Sequence, residues 1–381
     1  MRVLMVVRPA AGGMKGHVLA LADGLARAGH TVEFAGPPGT DVAEAARVAG
    51  RVVHPIPLVG PLHPVADPRA VSALRSVVLD GGFDLVHAHG FKAGFVGRLG
   101  ARLGGATAFV VTAHNHVLYR DETSRAAKWR YRTVERALAR YVTRYIAVSD
   151  SIRGELVDAY GLPAERVVTV HNGVDAAPFD APQDRTSARA ALGLPAEAPV
   201  VGLAARFSSQ KGLRYLVEAA SELVGAEPAL RVVIGGSGPL ESELREAAVA
   251  FGAAGSIVWP GYVPDMARFL AALDVYVSPA VTEALGIGLI EAALACVPTV
   301  ATDVGGASEV VLADTTGVLV PPCDPHALAQ ATLALLRDPE RARTLASAAR
   351  ERALSAFSPE RMVAETIAVY EAALAETRAP R

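Results

Sequence analysis

Cysteine is scarce in this sequence of 381 residues, which contains only Cys296 and Cys323. Two cysteines cannot build a disulfide framework, and they cannot supply the cluster of thiolates that holds a structural zinc ion. Such low cysteine usage is typical of a reducing compartment. We therefore expect a cytoplasmic protein whose stability comes from a packed core.

Long apolar runs and an excess of one charge are missing as well. No uninterrupted apolar stretch reaches the roughly 18 residues that suggest a membrane-spanning helix. The first apolar run is interrupted by Arg8 and is too short for a secretory signal, so we interpret it as a first strand. The net charge of -2 gives no general reason to expect a nucleic-acid partner.

The length predicts two domains, because a single core rarely grows past about 250–300 residues. Short β-branched runs alternate with Ala- and Leu-rich helical stretches, and the alternation restarts after residue 197. Continuous apolar strands between helices are typical of parallel sheets covered on both faces. We predict an α/β protein of two Rossmann-like, doubly wound domains, with the ligand in the cleft between them. The predicted strands are 2–7, 31–36, 84–89, 108–114, 144–149, 166–175, 199–206, 230–236, 256–261, 273–279, 298–303 and 317–322. The predicted divisions are a first domain at 1–175, a linker at 176–197, a second domain at 198–357 and a terminal helical segment at 358–381.

A mostly apolar stretch at 281–311 carries the carboxylates of Glu283, Glu291 and Glu309. In a continuous helix, residues eight apart lie about 12 Å apart along the axis and about 80° around it. Gly286 and Gly288 argue against such a helix. We predict a loop that holds Glu283, then a buried helix that starts near Gly288, holds Glu291 and ends before Pro298. The first two carboxylates would then contact two ends of one ligand, whereas Glu309 is predicted to be structural. A structural capping role remains the alternative for the first two.

Two cations follow the first strand of the second domain, and glycines follow the next strand. Arg206 and Lys211 at a strand's carboxyl end suit a diphosphate, although a solvated loop explains them equally well. Gly236 follows the strand at 230–236 and would let backbone approach a ligand, although tight turns also use glycine. We find no Asp-x-Asp pair that would hold a metal–diphosphate complex. We therefore expect no metal and no cofactor beyond the co-substrate.

The first domain offers a similar glycine turn and several histidines. Gly12 and Gly13 open the first helix and could seat an acceptor, with Lys15 nearby. His114 ends a strand and is predicted to face the cleft, with a structural histidine as the alternative. His87 and His89 are assigned to opposite sides of their strand, His87 as packing and His89 as a weaker acceptor-side candidate. Strand spacing is expected to separate these histidines, so we predict no metal site.

A basic amphipathic helix is predicted at 124–145. Lys128, Arg132, Arg136, Arg140 and Arg144 recur every four residues opposite an apolar stripe. Such a face could rest weakly on an anionic membrane at the inner, cytoplasmic side, or it could meet a phosphorylated acceptor. A solvated face of a core-packed helix is the simpler alternative.

Taken in order along nearly the whole chain, the motifs resemble glycosyltransferase family 4, retaining enzymes of the GT-B fold. They are GGMKGHV, DLVHAHG, VTAH, IAVSDSIR, VVTVHNGVD, RFSSQKGL, IGGSGPL, PGYVPD, EALGIGLIEAALACVPTVATDVGGASEVV and GVLVPPCDP. The resemblance implies transfer of a hexosyl group from a nucleotide diphosphate sugar to an acceptor hydroxyl of a glycolipid, a glycan, or a small polyol or its phosphate. A GT-B sugar-nucleotide 2-epimerase and a non-enzymatic nucleotide-sugar-binding subunit are the alternatives.

The resemblance also implies roles for individual residues. Catalytic roles fall to His114, Arg206, Lys211 and Glu283. Donor-binding roles fall to Gly13, Arg206, Lys211, Gly236, Glu283, Gly286 and Glu291. Gly12, Gly13, Lys15 and His89 remain the acceptor-side candidates. The terminal helix is expected to return to the first domain. Ala205, Ala284 and Leu285 depart from the family's usual residues, which bears on donor preference.

Overall fold

The computed structural model describes residues 1–10, 12–58, 60, 63, 65–118, 124–181 and 183–378. They form two compact units, the first from Met1–Gly173 with Pro359–Arg381 and the second from Val174–Ser358. Residues 379–381 of the predicted terminal segment lie outside the described residues. Each unit is an α/β fold around one parallel sheet, which confirms the predicted fold class of two Rossmann-like domains.

The two sheets contain thirteen strands in the described chain. They are β1 (Arg2–Val7), β2 (Thr31–Gly36), β3 (Val53–Pro55), β4 (Leu85–His89), β5 (Ala108–Ala113), β6 (Arg144–Ala147), β7 (Val167–Thr169), β8 (Val200–Ala204), β9 (Arg231–Gly235), β10 (Ile257–Val258), β11 (Val275–Ser278), β12 (Thr299–Thr302) and β13 (Val318–Val320).

Sixteen α-helices accompany these strands in the described chain. They are α1 (Gly13–Arg27), α2 (Asp41–Val48), α3 (Ala66–Gly81), α4 (Phe91–Leu103), α5 (Arg125–Leu138), α6 (Asp150–Gly154), α7 (Ala177–Asp180), α8 (Arg185–Ala191), α9 (Leu213–Ala226), α10 (Glu241–Ala250), α11 (Met266–Ala271), α12 (Ile287–Leu294), α13 (Ala307–Val310), α14 (Pro325–Arg337), α15 (Pro339–Ala356) and α16 (Pro359–Arg378). Short 3-10 turns occupy Ala139–Tyr141, Ala164–Arg166, Ser209–Lys211 and Ala254–Ser256, and a π-helical turn occupies Glu155–Ala159.

Strand order places a topological switch point in each sheet. The first sheet runs β3-β2-β1-β4-β5-β6-β7, and the second runs β10-β9-β8-β11-β12-β13. The order reverses between β1 and β4 in the first unit and between β8 and β11 in the second. In open parallel sheets, ligands bind beyond the carboxyl ends of the strands at such reversals. The loops after β1, β4, β8 and β11 are therefore where a site is expected.

The predicted linker 176–197 is instead folded into the second unit over its described residues, with Pro182 lying outside them. It forms α7 and α8, and Ala188 and Leu194 are buried in that unit's core. Arg189 is also buried and donates to Asp274 Oδ2 at 2.8 Å. The proline and charged residues of this segment suggested a linker. The sequence does not show that a charged residue such as Arg189 has a distant partner.

The helix predicted at 124–145 is shorter than expected. It is α5, which ends at Leu138 and continues as a 3-10 turn over Ala139–Tyr141. Arg144 belongs to β6 and forms an ion pair with Glu376 of α16, so it does not extend the basic face.

Helix α16 packs in the first unit, although it follows the second unit in sequence. Tyr370 is fully buried there, and its hydroxyl lies 2.6 Å from His87 Nδ1. None of the helices in the described chain is long and apolar enough to cross a membrane.

Candidate functional site

In the second unit, the predicted donor-binding residues converge at the switch point. Arg206 follows β8, Gly236 follows β9, and Glu283 lies in the loop after β11. These three strands are neighbours in the order β9-β8-β11, so their carboxyl ends share one edge of the sheet. Arg206 is exposed there, so its guanidinium is accessible from solvent.

Lys211 and Glu283 are in direct contact. The Lys211 ammonium donates to Glu283 Oε2 at 2.5 Å, and their side chains are 32% and 11% exposed. The carboxylate's other oxygen, Oε1, accepts from the Ala284 amide at 3.2 Å. A cation and a carboxylate separated by 72 positions in sequence therefore form one polar group at the strand ends.

Backbone contacts fix the position of this pair. The amides of Val281 and Thr282 donate to the Gln210 carbonyl at 2.9 and 3.2 Å. Gly212 has a positive φ of 58°, and a Cβ there would lie 2.0 Å from the Pro279 carbonyl oxygen. Only glycine allows the turn after β8 to approach the loop after β11 this closely. Gly212 was not among the predicted site residues.

Gly236 is needed for a similar reason. Its φ is 117°, and a Cβ there would lie 1.9 Å from the Ala205 carbonyl oxygen. Its amide donates to the Gly261 carbonyl at 2.6 Å. Close packing of backbone on backbone therefore accounts for this glycine, which we had predicted on the basis of ligand approach.

Glu291 lies on α12, which begins after Gly286 (φ 95°), close to the predicted start. Burial raises the pKa of its carboxyl to about 7, and none of the described residues donates a hydrogen bond to it. Tyr276 of β11 lies nearby, and burial followed by the charges of both glutamates raises the pKa of its phenol. Glu291 is therefore a half-buried carboxylate on the site's helix whose hydrogen-bonding capacity is unused.

In the first unit, three buried histidines converge near the other switch point. His89 ends β4, His114 follows β5, and His17 lies on α1. His89 Nδ1 lies 3.1 Å from His114 Nε2, and the His17 ring centroid is 4.8 Å from that of His114. We call His17, His89 and His114 the histidine cluster.

The expectation that strand spacing separates the histidines was wrong. Strands β4 and β5 are paired with His89 opposite Thr112, so His114 lies within reach of His89. The assignment of His87 and His89 to opposite sides was also wrong. Residues two apart on a strand share a face, and their ring centroids are 4.2 Å apart. His87 is nevertheless a packing residue, since it lies 2.6 Å from Tyr370 Oη and 2.7 Å from Thr112 Oγ1.

Burial keeps the cluster neutral at ordinary pH. It lowers the pKa of His17 to about 4, and it lowers the pKa values of His89 and His114 well below their usual range. The neighbouring imidazoles lower the pKa values of His89 and His114 further, and Arg8 adds to the effect at His114. His17 was not among the predicted site residues, although it shares the buried stripe of α1 with Leu21 and Leu25.

Neutral imidazoles can bind transition metals, and one nitrogen from each histidine of the cluster lies within 4.8 Å of the others. However, no carboxylate joins this group among the residues that the structure describes. A buried dication would lack a compensating anion there. The chemistry of the cluster therefore suits hydrogen bonding to a polar ligand better than metal binding.

A cavity of about 320 Å³ adjoins the cluster. His114 lines it together with Arg8, Phe91 and Tyr131. Three buried polar groups support its walls: Lys92 with Asp67, Arg98 with Glu135 and Tyr145, and Glu155 with His116 and the amides of Val117 and Leu118. The Glu155 group fixes the segment that follows His114.

Gly12 and Gly13 form the start of α1, as predicted. Gly12 has a φ of 58°, and within the described chain no side chain caps this helix end. Lys15 lies one turn later, and its ammonium is 3.9 Å from Asp41 Oδ2. The helix start thus presents backbone amides beside a partly exposed cation, while His89 belongs to the histidine cluster.

Two family profiles match the chain. The family described as Glycosyltransferase Family 4 matches residues 11–177, and the one described as Glycosyl transferases group 1 matches residues 184–352. Together they span both units.

Similar proteins carry related names. D-inositol 3-phosphate glycosyltransferase 1 of Catenulispora acidiphila is 33% identical over 390 residues, covering 96% of this chain and 91% of that protein. Alpha-maltose-1-phosphate synthase of Mycolicibacterium smegmatis is 32% identical over 308 residues, covering 75% of this chain and 78% of that protein.

Solved structures share the fold. Anabaena HepE, solved in complex with UDP-glucose, superposes with a TM-score of 0.84 at 22% identity, covering 97% of this chain and 99% of that one. A glycosyltransferase from Rickettsia africae gives a TM-score of 0.83 at 20% identity and covers 98% of both chains. The fold, the profiles and the full-length relatives agree: this chain is an enzyme that belongs to glycosyltransferase family 4.

Proposed function

We propose that the protein is a retaining glycosyltransferase that moves a hexosyl group from a nucleotide diphosphate sugar to an acceptor hydroxyl. The observation that carries the proposal is the contact of Lys211 with Glu283 at the switch point of the second sheet, beside the α12 helix that holds Glu291. The UDP-glucose bound by Anabaena HepE supports the class of donor.

In this proposal each charged group has one task. Arg206 and Lys211 bind the diphosphate, Glu283 accepts hydrogen bonds from hydroxyls of the sugar, and Glu291 accepts them from the ribose. Without donor, Glu283 neutralises Lys211, so neither charge is left unpaired in a partly buried place. When the donor arrives, the ammonium gains a phosphate partner while the carboxylate gains hydroxyl donors.

The reaction breaks the bond between the anomeric carbon and the phosphate oxygen, and the acceptor oxygen bonds to the same face of the sugar. Negative charge grows on the departing phosphate, where the cations at 206 and 211 stabilise it. The acceptor's proton passes to that phosphate oxygen. Two fixed cations perform the charge neutralisation that a metal ion performs in other transferases, so we propose that the reaction needs no metal.

The acceptor is proposed to bind in the first unit, near Gly12, Gly13 and the histidine cluster. The neutral His114 lines a cavity whose volume of about 320 Å³ is within the range that holds a small ligand. The name of the inositol phosphate relative supports a small phosphorylated polyol. Glycolipids and glycans belong in the same acceptor screen.

A thermal-shift screen against UDP, GDP and ADP and their sugars would identify the donor, because a ligand that binds the native state raises its stability. Turnover is then measured in Lys211→Ala and Glu283→Gln variants. Each should lose about 2–4 kcal/mol of transition-state stabilisation, or roughly 30-fold to 1000-fold in rate.

The matched controls are Arg214→Ala, an exposed cation two residues after Gly212, and Glu309→Gln, the carboxylate predicted to be structural. Both should keep nearly full activity. Wild-type rates in the Lys211 and Glu283 variants would reject these assignments. Incubation with the nucleotide sugar alone tests the epimerase alternative, since conversion to an epimer without acceptor would replace the transferase proposal.

A further inference from the structure

One face of helix α5 is exposed and combines arginines with a tryptophan. Arg125, Trp129, Arg132 and Arg136 are all exposed, and Trp129 is 67% accessible to solvent. At about 100° per residue, these four side chains fall within about 60° of the helix circumference. They extend over roughly 16 Å, three turns of helix. We call these four residues the Arg–Trp stripe.

The opposite face of α5 holds the helix in the fold. Glu135 is buried and accepts hydrogen bonds from Arg98 Nη2 at 2.8 and 3.0 Å. Tyr131 packs edge-to-face on Phe91, with ring centroids 4.7 Å apart. These contacts anchor the helix. Arg136 also lies beside Gly161, but packing in the first unit does not account for the exposed Trp129.

The charge of this region contrasts with that of the whole chain. Residues 124–140 contain six basic side chains and one acidic one, Glu135, which faces inward to Arg98, whereas the complete chain has a net charge of -2. The outward face therefore attracts a negatively charged surface, while the rest of the chain is net acidic. Charge complementarity thus selects an anionic partner and orients it toward α5.

The aromatic residue decides which anionic partner fits best. A stable protein interface needs about 800 Å² from each side, with an apolar centre, whereas the stripe offers a single indole among charged side chains. Tryptophan flanked by arginines is typical of helices that lie in the headgroup region of a bilayer. There the ring enters the boundary with the acyl chains while the guanidinium groups contact lipid phosphates.

We propose that the Arg–Trp stripe binds the surface of a membrane that contains anionic lipid, and that it holds the first unit there as a peripheral protein. Each arginine near such a surface contributes a factor of about five to partitioning, because its attraction is worth about 1 kcal/mol. The contact is reversible and weakens in salt, which screens exposed charges. This inference does not depend on the proposed reaction.

The test uses the full chain and two triple variants. In the stripe variant, Arg125→Glu, Arg132→Glu and Arg136→Glu reverse three charges of the stripe. In the control variant, Arg69→Glu, Arg75→Glu and Arg102→Glu make the same charge change at exposed positions on α3 and α4 of the same unit. Circular dichroism establishes that both variants fold.

Sedimentation is measured with vesicles of phosphatidylcholine alone and with about 30% phosphatidylglycerol, at low and high salt. Wild type and control should bind the anionic vesicles at low salt, and the stripe variant should bind at least about 100-fold more weakly. High salt should release the bound protein. Equal binding of the two triple variants, or no binding of wild type at low salt, would overturn the proposal.

Fluorescence gives a second measurement, which does not require the stripe variant to fold. The chain has two tryptophans, so Trp259→Phe leaves Trp129 as the only reporter. Its emission should shift to shorter wavelength on anionic vesicles, and Trp129→Ala should weaken sedimentation. Binding to a soluble polyanion such as heparin without this shift on vesicles would assign the stripe to an anionic polymer and reject the membrane.

Discussion

Replacing Glu291 by glutamine should raise stability and lower donor affinity at alkaline pH. Burial on α12 raises the pKa of this carboxyl from 4.5 to about 7. Because the folded state favours the neutral form, wild-type stability is fullest below about pH 4.5 and decreases as pH rises through about 7. The difference between these two pKa values corresponds to a loss of about 3 kcal/mol in the free energy of unfolding.

Glutamine has the shape of the protonated side chain and never ionises. At pH 8 the variant should therefore need about 3 kcal/mol more to unfold than wild type, and at pH 5 less than about 1 kcal/mol more. Comparing the variant with wild type at each pH cancels the contributions of the other titrating groups, because both proteins share them. A purely structural glutamate with partners would show the opposite result, since its replacement would destabilise the fold.

Donor binding should depend on pH in the reverse sense. In the proposed site, ribose hydroxyls would donate to the ionised carboxylate of Glu291. With a pKa of about 7, this carboxyl is ionised in roughly a tenth of the protein at pH 6 and in nine tenths at pH 8. Wild-type affinity should therefore increase about tenfold over this range, which equals about 1.4 kcal/mol. Glu291→Gln should bind weakly at both pH values, without this increase.

Calorimetric titration with the cognate nucleotide sugar measures the affinity. The free nucleotide is unsuitable because a terminal phosphate titrates near pH 6. Urea unfolding, followed through Trp259 in a Trp129→Phe background, reports the second unit, and Glu309→Gln is the control for removing one carboxylate. An unchanged pH dependence of binding in Glu291→Gln, or a loss of stability at pH 8, would refute the reasoning.

Three further predictions test the frame around the site. Gly212→Ala should lower the free energy of unfolding of the second unit, measured in urea, by more than about 2 kcal/mol, because the new Cβ would meet the Pro279 carbonyl. Gly193 also has a positive φ but has open space around it, so Gly193→Ala should cost only about 1 kcal/mol. Equal losses in the two variants would contradict the packing argument. Acidification should destabilise the first unit, because burial lowers the pKa values of His17 and His87. Their contribution to the free energy of unfolding is complete above about pH 6.5 and is lost as pH falls below it, by up to about 1.4 kcal/mol per pH unit for each histidine. Hydrogen exchange at pH 7 and pH 5 measures this loss of stability. A loss of protection confined to the second unit would contradict the prediction. Dialysis against EDTA should leave turnover unchanged, and a loss restored by a divalent metal would overturn the proposal that the chain's own cations suffice.

The α/β architecture could be predicted because periodicity is a local property. Every predicted strand overlaps an observed one, and the predicted helix after Gly286 was also found. One observed strand, β3 (Val53–Pro55), was not predicted, because its three residues include a proline and form no pattern long enough to detect. Parallel pairing then places all strand ends on one edge, which is why Arg206, Gly236 and Glu283 could be assigned to a common edge.

Contacts between distant side chains were not predictable in the same way. The histidine cluster depends on the register of β4 with β5 and on the direction of α1, neither of which periodicity specifies. Helix α5 ends at Leu138, and Arg144 belongs to β6 instead of to the helix. Basic residues recur every four positions beyond the end of α5, and this pattern alone does not show that Arg144 lies in a strand.

The carboxylates show how structure separates roles that look alike in sequence. Glu33, Glu135 and Glu155 are all buried, and each has cationic, imidazole, hydroxyl or backbone donors within 3.0 Å. Their partners are supplied by the fold, so they are structural. Glu291 lies on the apolar helix α12 with no donor among the described residues, and burial raises the pKa of its carboxyl to about 7. Because the three buried carboxylates are paired by the fold and the half-buried Glu291 is not, we propose that Glu291 accepts its hydrogen bonds from a ligand, the ribose of the donor in the proposed reaction.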